Sequence, residues 1–277
     1  MGGGHLTPAG HGGESVKTGI GVFIAAFAAL GASWAGLVLA PALQLGGTKV
    51  TTVLNSTEAY PVQRPGEAAL GLQVYRANGC AACHTQQVQQ DGTTFEVVLT
   101  GAGKDPVTVS NLAAGLKLTG LTKEAADAVA KSIADAGGKT ETHLNGTGAD
   151  ISRGWGSRHS VAMDFLYDAP VQPGSLRAGP DLTNIGARAA DVNWQLLHLY
   201  APRAVVKDST MPSFAYLFEV RPATGSAEAL KLPAGFSVPA GTEVVPTPAA
   251  KHLAAYLLSL HADAPLYEAP YSQLAKP

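Results

Sequence analysis

The chain opens with one uniformly apolar segment and then breaks into short periodic runs separated by proline and glycine. No side chain between Lys17 and Lys49 is charged, and the stretch from Thr18 to Ala40, just ahead of Pro41, is apolar almost throughout. As a helix that stretch spans about 35 Å, enough to cross a bilayer. It predicts a transmembrane anchor over 18–45 behind a tail at 1–17. A cleaved signal peptide is the competing reading, but its apolar region usually covers only about 7–15 residues. A buried core helix would carry polar interruptions that are missing here. Small residues recur every four positions at Gly21, Ala25 and Ala29, and again at Ala28, Ala32 and Gly36. Such faces let membrane helices approach one another closely.

Beyond the anchor, residues 46–65 read as an extended linker with Pro61 and Pro65 as breakers. Glu67 to Asn78 is helical in pattern. Leu70, Val74 and Ala77 recur at helical spacing beside Tyr75, and Gly79 ends the run. A second helix is predicted from Asp191, as cap, to Tyr200. It gathers Trp194, Leu197, His198 and Ala201 on one side and stops at Pro202. A third starts at Thr247-Pro248, with threonine as cap and proline in the first turn. Its apolar stripe is Leu253, Tyr256, Leu257 and Leu260, and this stripe is expected to cross the first helix at Gly71 and Tyr75. Lys123 to Ala136 is a further helix, stopped by Gly137-Gly138. The pattern predicts an all-α domain behind one membrane helix.

Composition narrows the function. The net charge is −2 and only 14% of residues are charged, so there is no electrostatic case for a nucleic-acid partner. The two cysteines, Cys80 and Cys83, stand in the run Cys-Ala-Ala-Cys-His84. This is the attachment motif of a c-type haem. Each thiol adds across one porphyrin vinyl group, forming a C–S bond and placing its hydrogen on the neighbouring carbon. The two-residue gap brings both sulfurs to one edge of the ring. The next side chain, His84, then lies where it can bind iron through a ring nitrogen. A zinc site would need two further soft ligands, and no cysteine remains to supply them. A thioredoxin-like motif would need a βαβ context. One covalent haem c is expected, with both thiols consumed as thioethers rather than as a disulfide.

The second axial position is open to several side chains. Met211, in Ser-Thr-Met-Pro-Ser-Phe, is the leading candidate, with Pro212 stiffening the backbone beside it. His198, His159, His143 and Met163 compete. Between the two ligand positions lies Gly179-Pro180-Asp181-Leu182. A ligating imidazole gives its other N–H to a fixed acceptor. The Pro180 carbonyl is expected to accept from His84, with Leu182 against the porphyrin.

The order of these features, from helix and Cys80-to-His84 through Gly-Pro-Asp-Leu and Met211-Pro to the final helix, resembles a class I cytochrome c. A finer resemblance is to the mono-haem subunit (subunit II) of cbb3-type cytochrome c oxidases. It is carried by Cys-His-Thr-Gln at 83–86 and by Tyr167-Asp168-x-Pro170 followed by Gly174-Ser175-x-Arg177-x-Gly-Pro-Asp-Leu. It continues in His198-Leu-Tyr-x-Pro-Arg203-x-Val-Val and Ser209-x-Met-Pro-Ser213. The chain departs from the family at Val88-Gln89-Gln90, where an Ile-Arg-Pro-like run is usual, and at Pro173, where tryptophan is common. The resemblance makes 66–277 the cytochrome domain, with insertions at about 91–150 and 221–246.

The resemblance implies His84 and Met211 as the iron ligands. Arg177, Arg188 and Arg203 become candidates to pair with haem propionates. It implies a relay that takes electrons from a donor cytochrome c, often through a di-haem sister subunit. The acceptor is an oxygen-reducing membrane subunit, and no catalytic site is expected in this chain itself. Because haem c is attached outside the cytoplasmic membrane, 46–277 are expected on the periplasmic side of a bacterial inner membrane, with 1–17 in the cytoplasm. The small cytochrome c subunit of a nitric oxide reductase shares this plan. A free-standing anchored shuttle, or a peroxidase or sensor with accessible iron, is the remaining alternative.

Overall fold

A computed structural model of the chain describes residues 13–101, 115–236 and 238–271, with side chains from residue 19 onward. Most of the expected tail at 1–17 therefore lies outside the described residues. The chain divides into two compact units, Met1–Lys49 and Val50–Pro277.

The first unit is helical. Helix α1 (Gly13–Trp34) passes through a π turn at Ala35–Leu39 into α2 (Ala40–Leu45). Pro41 has no N–H, and its ring would crowd the Leu37 carbonyl in a regular helix. The wider π turn lies immediately ahead of it, which lets the rod continue to Leu45. Gly19–Leu45 is long and apolar enough to cross a membrane. Its large side chains, among them Phe23, Phe27, Leu30 and Leu37, are exposed.

In the second unit, the stretch expected to be a linker carries a small hairpin, β1 (Thr51–Thr52) with β2 (Ala59–Tyr60). Val53 and Tyr60 pack with Leu266 in a minor core that Val161, Met163 and Ala264 flank. Arg158 ties it together although almost wholly buried. Its guanidinium donates to both Asp164 oxygens at 2.7 and 3.0 Å and to the Ala264 carbonyl at 2.5 Å. Tyr60 donates to the same carboxylate at 2.7 Å. A buried ion pair of this kind persists only where its remaining donors and acceptors are also satisfied.

Helix α3 (Gly66–Ala77) leads to the cysteine turn. The expected insertion then folds as an antiparallel sheet rather than as helix alone. Strand β3 (Gly92–Gly101) lies centrally, with β4 (Lys117–Leu121) on one side. Helix α4 (Lys123–Asp135) follows, and β5 (Lys139–Thr147) pairs on the other side of β3. Val97 and Leu99 alternate into the buried face, where Ala126 of α4 is also buried. A short α5 (Ala149–Ser152) leaves this region.

The major core is helical. It combines α3, α6 (Ile185–Arg188), α7 (Val192–Tyr200) and α9 (Pro248–Leu258), with the short α8 (Pro202–Val205) following α7. The second expected excursion holds a hairpin of β6 (Phe218–Pro222) and β7 (Thr242–Pro246). Val244 and Val245 of that hairpin are buried. The all-α expectation is thus corrected. β-branched residues in both insertions satisfy their backbone groups across strands while one face is buried.

The helix ends follow local chemistry. Asp191 caps α7 by accepting from Asn193 N at 2.9 Å, and Thr247 caps α9 from Ala250 N at 3.4 Å. Leu253, Tyr256, Leu257 and Leu260 are buried, and α9 packs on α3. A Cβ on Gly71 would lie 2.6 Å from Tyr256 Cβ, so only glycine permits this approach. The Tyr75 and Tyr256 rings meet at 5.2 Å.

Candidate haem site

Gly79, at φ +68°, ends the run of α3 and turns the chain into the tight turn Cys80–Ala82. Cys83 N and His84 N both donate to Cys80 O, at 3.2 and 3.0 Å, which gathers the two thiols and the imidazole into one turn. The thiols are free, and burial pushes Cys80 up to about 11.

Residues 173–182 are stapled onto this turn. Ser175 N donates to Ala81 O at 3.0 Å, Gly179 N to Cys83 O at 2.9 Å, Gln86 N to Pro173 O at 3.1 Å, and Leu182 N to Thr85 O at 2.8 Å. The consequence falls on His84. Its Nδ1–H donates to the Pro180 carbonyl at 2.8 Å, which leaves Nε2 as the nitrogen free to bind a metal. A Cβ on Gly179 would stand 2.7 Å from Nδ1 and 2.9 Å from Nε2 of that ring, so the glycine backbone walls the imidazole on one side.

Asp181 carries a role that sequence reasoning missed. Fully buried, it accepts from Thr85 Oγ1 at 2.6 Å, Gln87 N at 2.8 Å and Thr183 N at 2.8 Å. The Gly-Pro-Asp-Leu phrase held the clue, because an aspartate beside a fixed proline is a ready local acceptor. Arg177, expected at a propionate, is engaged by protein groups. It donates to Asp150 at 2.7 Å, to Gln87 O at 2.7 Å and to Thr85 Oγ1 at 3.2 Å, with Trp155 5.5 Å beneath it. Arg188 donates to the Asp181 carbonyl. Arg203 is exposed on α8 and has no ion pair or hydrogen bond among the described residues.

Met211 and Cys80 are partly buried, and both pack on the major core that contains Leu182. Backbone bonding from Phe214 N to Leu199 O at 2.9 Å ties the Met211 loop to α7. The competing ligands are spread more widely. His143 lies on β5 opposite Glu96, Met163 packs on the minor core, and His159 contacts Gln90. His198 stacks on Trp194 with ring centroids 4.9 Å apart. Its pKa is lowered by burial and then by the nearby His84. Its buried Nδ1 has no hydrogen-bond partner among the described residues.

A covalent porphyrin fits these residues: two unbridged thiols in one turn, an imidazole with its second nitrogen held, apolar walls, and a buried ring nitrogen lacking a partner.

Residues 149–256 match the family described as cytochrome C oxidase, mono-heme subunit/FixO. Over that stretch the chain is similar to a cytochrome c oxidase mono-heme subunit. The match takes in Arg177, Pro180, Asp181, Leu182, His198, Met211 and most of α9, and it begins beyond the β3–β5 sheet. The Cys80-to-His84 turn lies outside it, so the haem-attachment chemistry rests on the sequence motif and the geometry above. No curated protein matches the chain.

Proposed function

We propose that this chain is the membrane-anchored electron-relay subunit of a cbb3-type oxidase. It would carry one covalent haem c and pass electrons from a donor cytochrome c, directly or through a di-haem subunit, to the oxygen-reducing membrane subunit. The supporting observation is the union of two things: a mono-heme oxidase-subunit sequence over 149–256, and a Cys80/Cys83/His84 turn clamped against that same stretch.

In this reading Cys80 and Cys83 fix the prosthetic group by thioethers. His84 Nε2 and the Met211 thioether would hold the iron, and the Pro180 carbonyl, 2.8 Å from Nδ1, orients the His84 imidazole. Bound haem supplies one-electron exchange between ferric and ferrous iron. The protein keeps that exchange fast by holding both ligands in place, because neither has to move when the charge on iron changes. Leu182 and the neighbouring apolar core keep water from the inner side of the pocket. Arg203, without a partner among the described residues, would be available to a propionate, whereas Arg177 braces the loop after His84.

Gly19–Leu45 would hold the domain at the bacterial inner membrane, with the haem on the periplasmic side. The small-residue faces along it would receive a neighbouring helix of the oxidase.

Purification in mild detergent, with identification of the co-purifying subunits, tests this assignment. A partner containing copper and haem b, with oxygen uptake, supports it. A partner containing non-haem iron that reduces nitric oxide, or recovery of the chain alone, contradicts it.

A further inference from the structure

His198 is half-buried, with a buried ring nitrogen that the relay reading leaves without a task. It lies on α7, the helix whose end is tied to the Met211 loop through Leu199 O and Phe214 N. Its ring is held nearly parallel to Trp194, at 4° between planes, so it is not free to turn toward another acceptor. Nδ1 is shielded from solvent and meets no donor or acceptor among the described residues. Leaving such a nitrogen unpaired is costly, and native interiors rarely tolerate it. The ring stacks on Trp194, which packs on the same core as Met211 and Cys80, so His198 stands beside the pocket those residues flank; burial and then His84 lower its pKa. Trp194, Met211, Cys80 and Leu182 line or flank the core on which that pocket is built.

We infer that His198 is a positioning residue of the haem site, whose buried ring nitrogen donates a hydrogen bond to an acceptor of the haem unit. This rests on the haem reading above. The acceptor is the Met211 thioether or a haem propionate. Either one completes a nitrogen that the described residues leave unpaired. A donor on the thioether draws electron density from the iron, and a donor on a propionate offsets its negative charge. Both raise the reduction potential, so loss of the donor lowers it.

The test is potentiometry and visible spectroscopy on the full-length, haem-loaded protein carrying His198→Phe or His198→Asn. Phenylalanine keeps the stack on Trp194 and removes the donor, whereas asparagine returns an N–H near the Nδ1 position. The expected result is a lowered midpoint potential in His198→Phe, with unchanged covalent haem content, and recovery of much of the shift in His198→Asn. If the far-red charge-transfer band of methionine-ligated ferric haem shifts as well, the thioether is the acceptor. If that band stays and the pH dependence of the potential changes, the propionate is.

Equal potentials and equal spectra in both variants overturn the inference. If His198→Phe fails to assemble, the unsubstituted protein decides by NMR. A slowly exchanging, paramagnetically shifted His198 ring N–H supports the bond, and a rapidly exchanging, unshifted one overturns it. Wild-type protein without covalent haem would sink the haem reading itself, whereas a haem-loaded protein indifferent to His198 sinks only this inference.

Discussion

Asp181 accepts a 2.6 Å hydrogen bond from Thr85, the residue directly after His84. One buried carboxylate therefore fixes the exit of the cysteine turn, and it does so from the segment that also carries the Pro180 carbonyl. Replacing Asp181 with asparagine keeps the shape but puts an NH2 against two donors, Thr85 Oγ1 and Gln87 N. Losing charge-assisted bonds and leaving donors unmatched should cost about 2–4 kcal/mol. Urea unfolding of D181N measures this. An unchanged midpoint would show that the loop is held by its backbone bonds alone.

The Arg158–Asp164 pair is buried on both sides and shared with Tyr60. Arg158→Met strands the Asp164 carboxylate and should lower stability by about 3–5 kcal/mol. Pairing it with Asp164→Leu removes the stranded charge and should recover part of the loss. A double variant no better than the single one would mean that packing, not charge, dominates the minor core.

Gly71 is the contact point of α3 and α9. Gly71→Val drives side-chain carbon into the His252 carbonyl and Tyr256. Overpacking of this kind costs about 1–3 kcal/mol or more. Gly66→Ala, at the open start of the same helix where a Cβ meets nothing within 4 Å, serves as the control. It should stay within about 0.5 kcal/mol of the parent in thermal unfolding.

Glu243 in β7 carries a pH dependence. Burial alone would push its carboxyl up, but donors from Ser226 N, Thr224 and Arg221 outweigh that and hold it below the usual range. A carboxylate depressed in the folded state contributes stability above its unfolded value, about 4.3. That contribution is lost as pH falls through the folded value. Stability of the parent should therefore drop more steeply below about pH 4.3 than stability of E243Q. Parallel curves would contradict the assignment.

Much of the site was legible because its parts are local. Cys80 to His84 is five adjacent residues, Thr247-Pro248 is a self-contained helix start, and Gly71 announces a close crossing by having no side chain. The sheet was not legible. Val97 and Val98 suit an extended strand, but their partners on β4 and β5 lie some tens of residues away, and strand pairing leaves no mark at a single position. The hairpin at Thr51 and Tyr60 was hidden for the same reason, its burial depending on Leu266 at the other end of the domain. Arg177 shows the limit most clearly. Its position beside Gly-Pro-Asp-Leu pointed to the haem, but Asp150 and the Gln87 carbonyl hold it, and only the folded chain brings them together.

The central claim is a porphyrin joined to Cys80 and Cys83. Intact-mass measurement after acid-acetone extraction tests it most directly, on the parent and on Cys80→Ser/Cys83→Ser. The account predicts that the parent retains the added mass of one haem and that the double variant carries none. A parent chain at its unmodified polypeptide mass, from cells that mature c-type cytochromes, would contradict it.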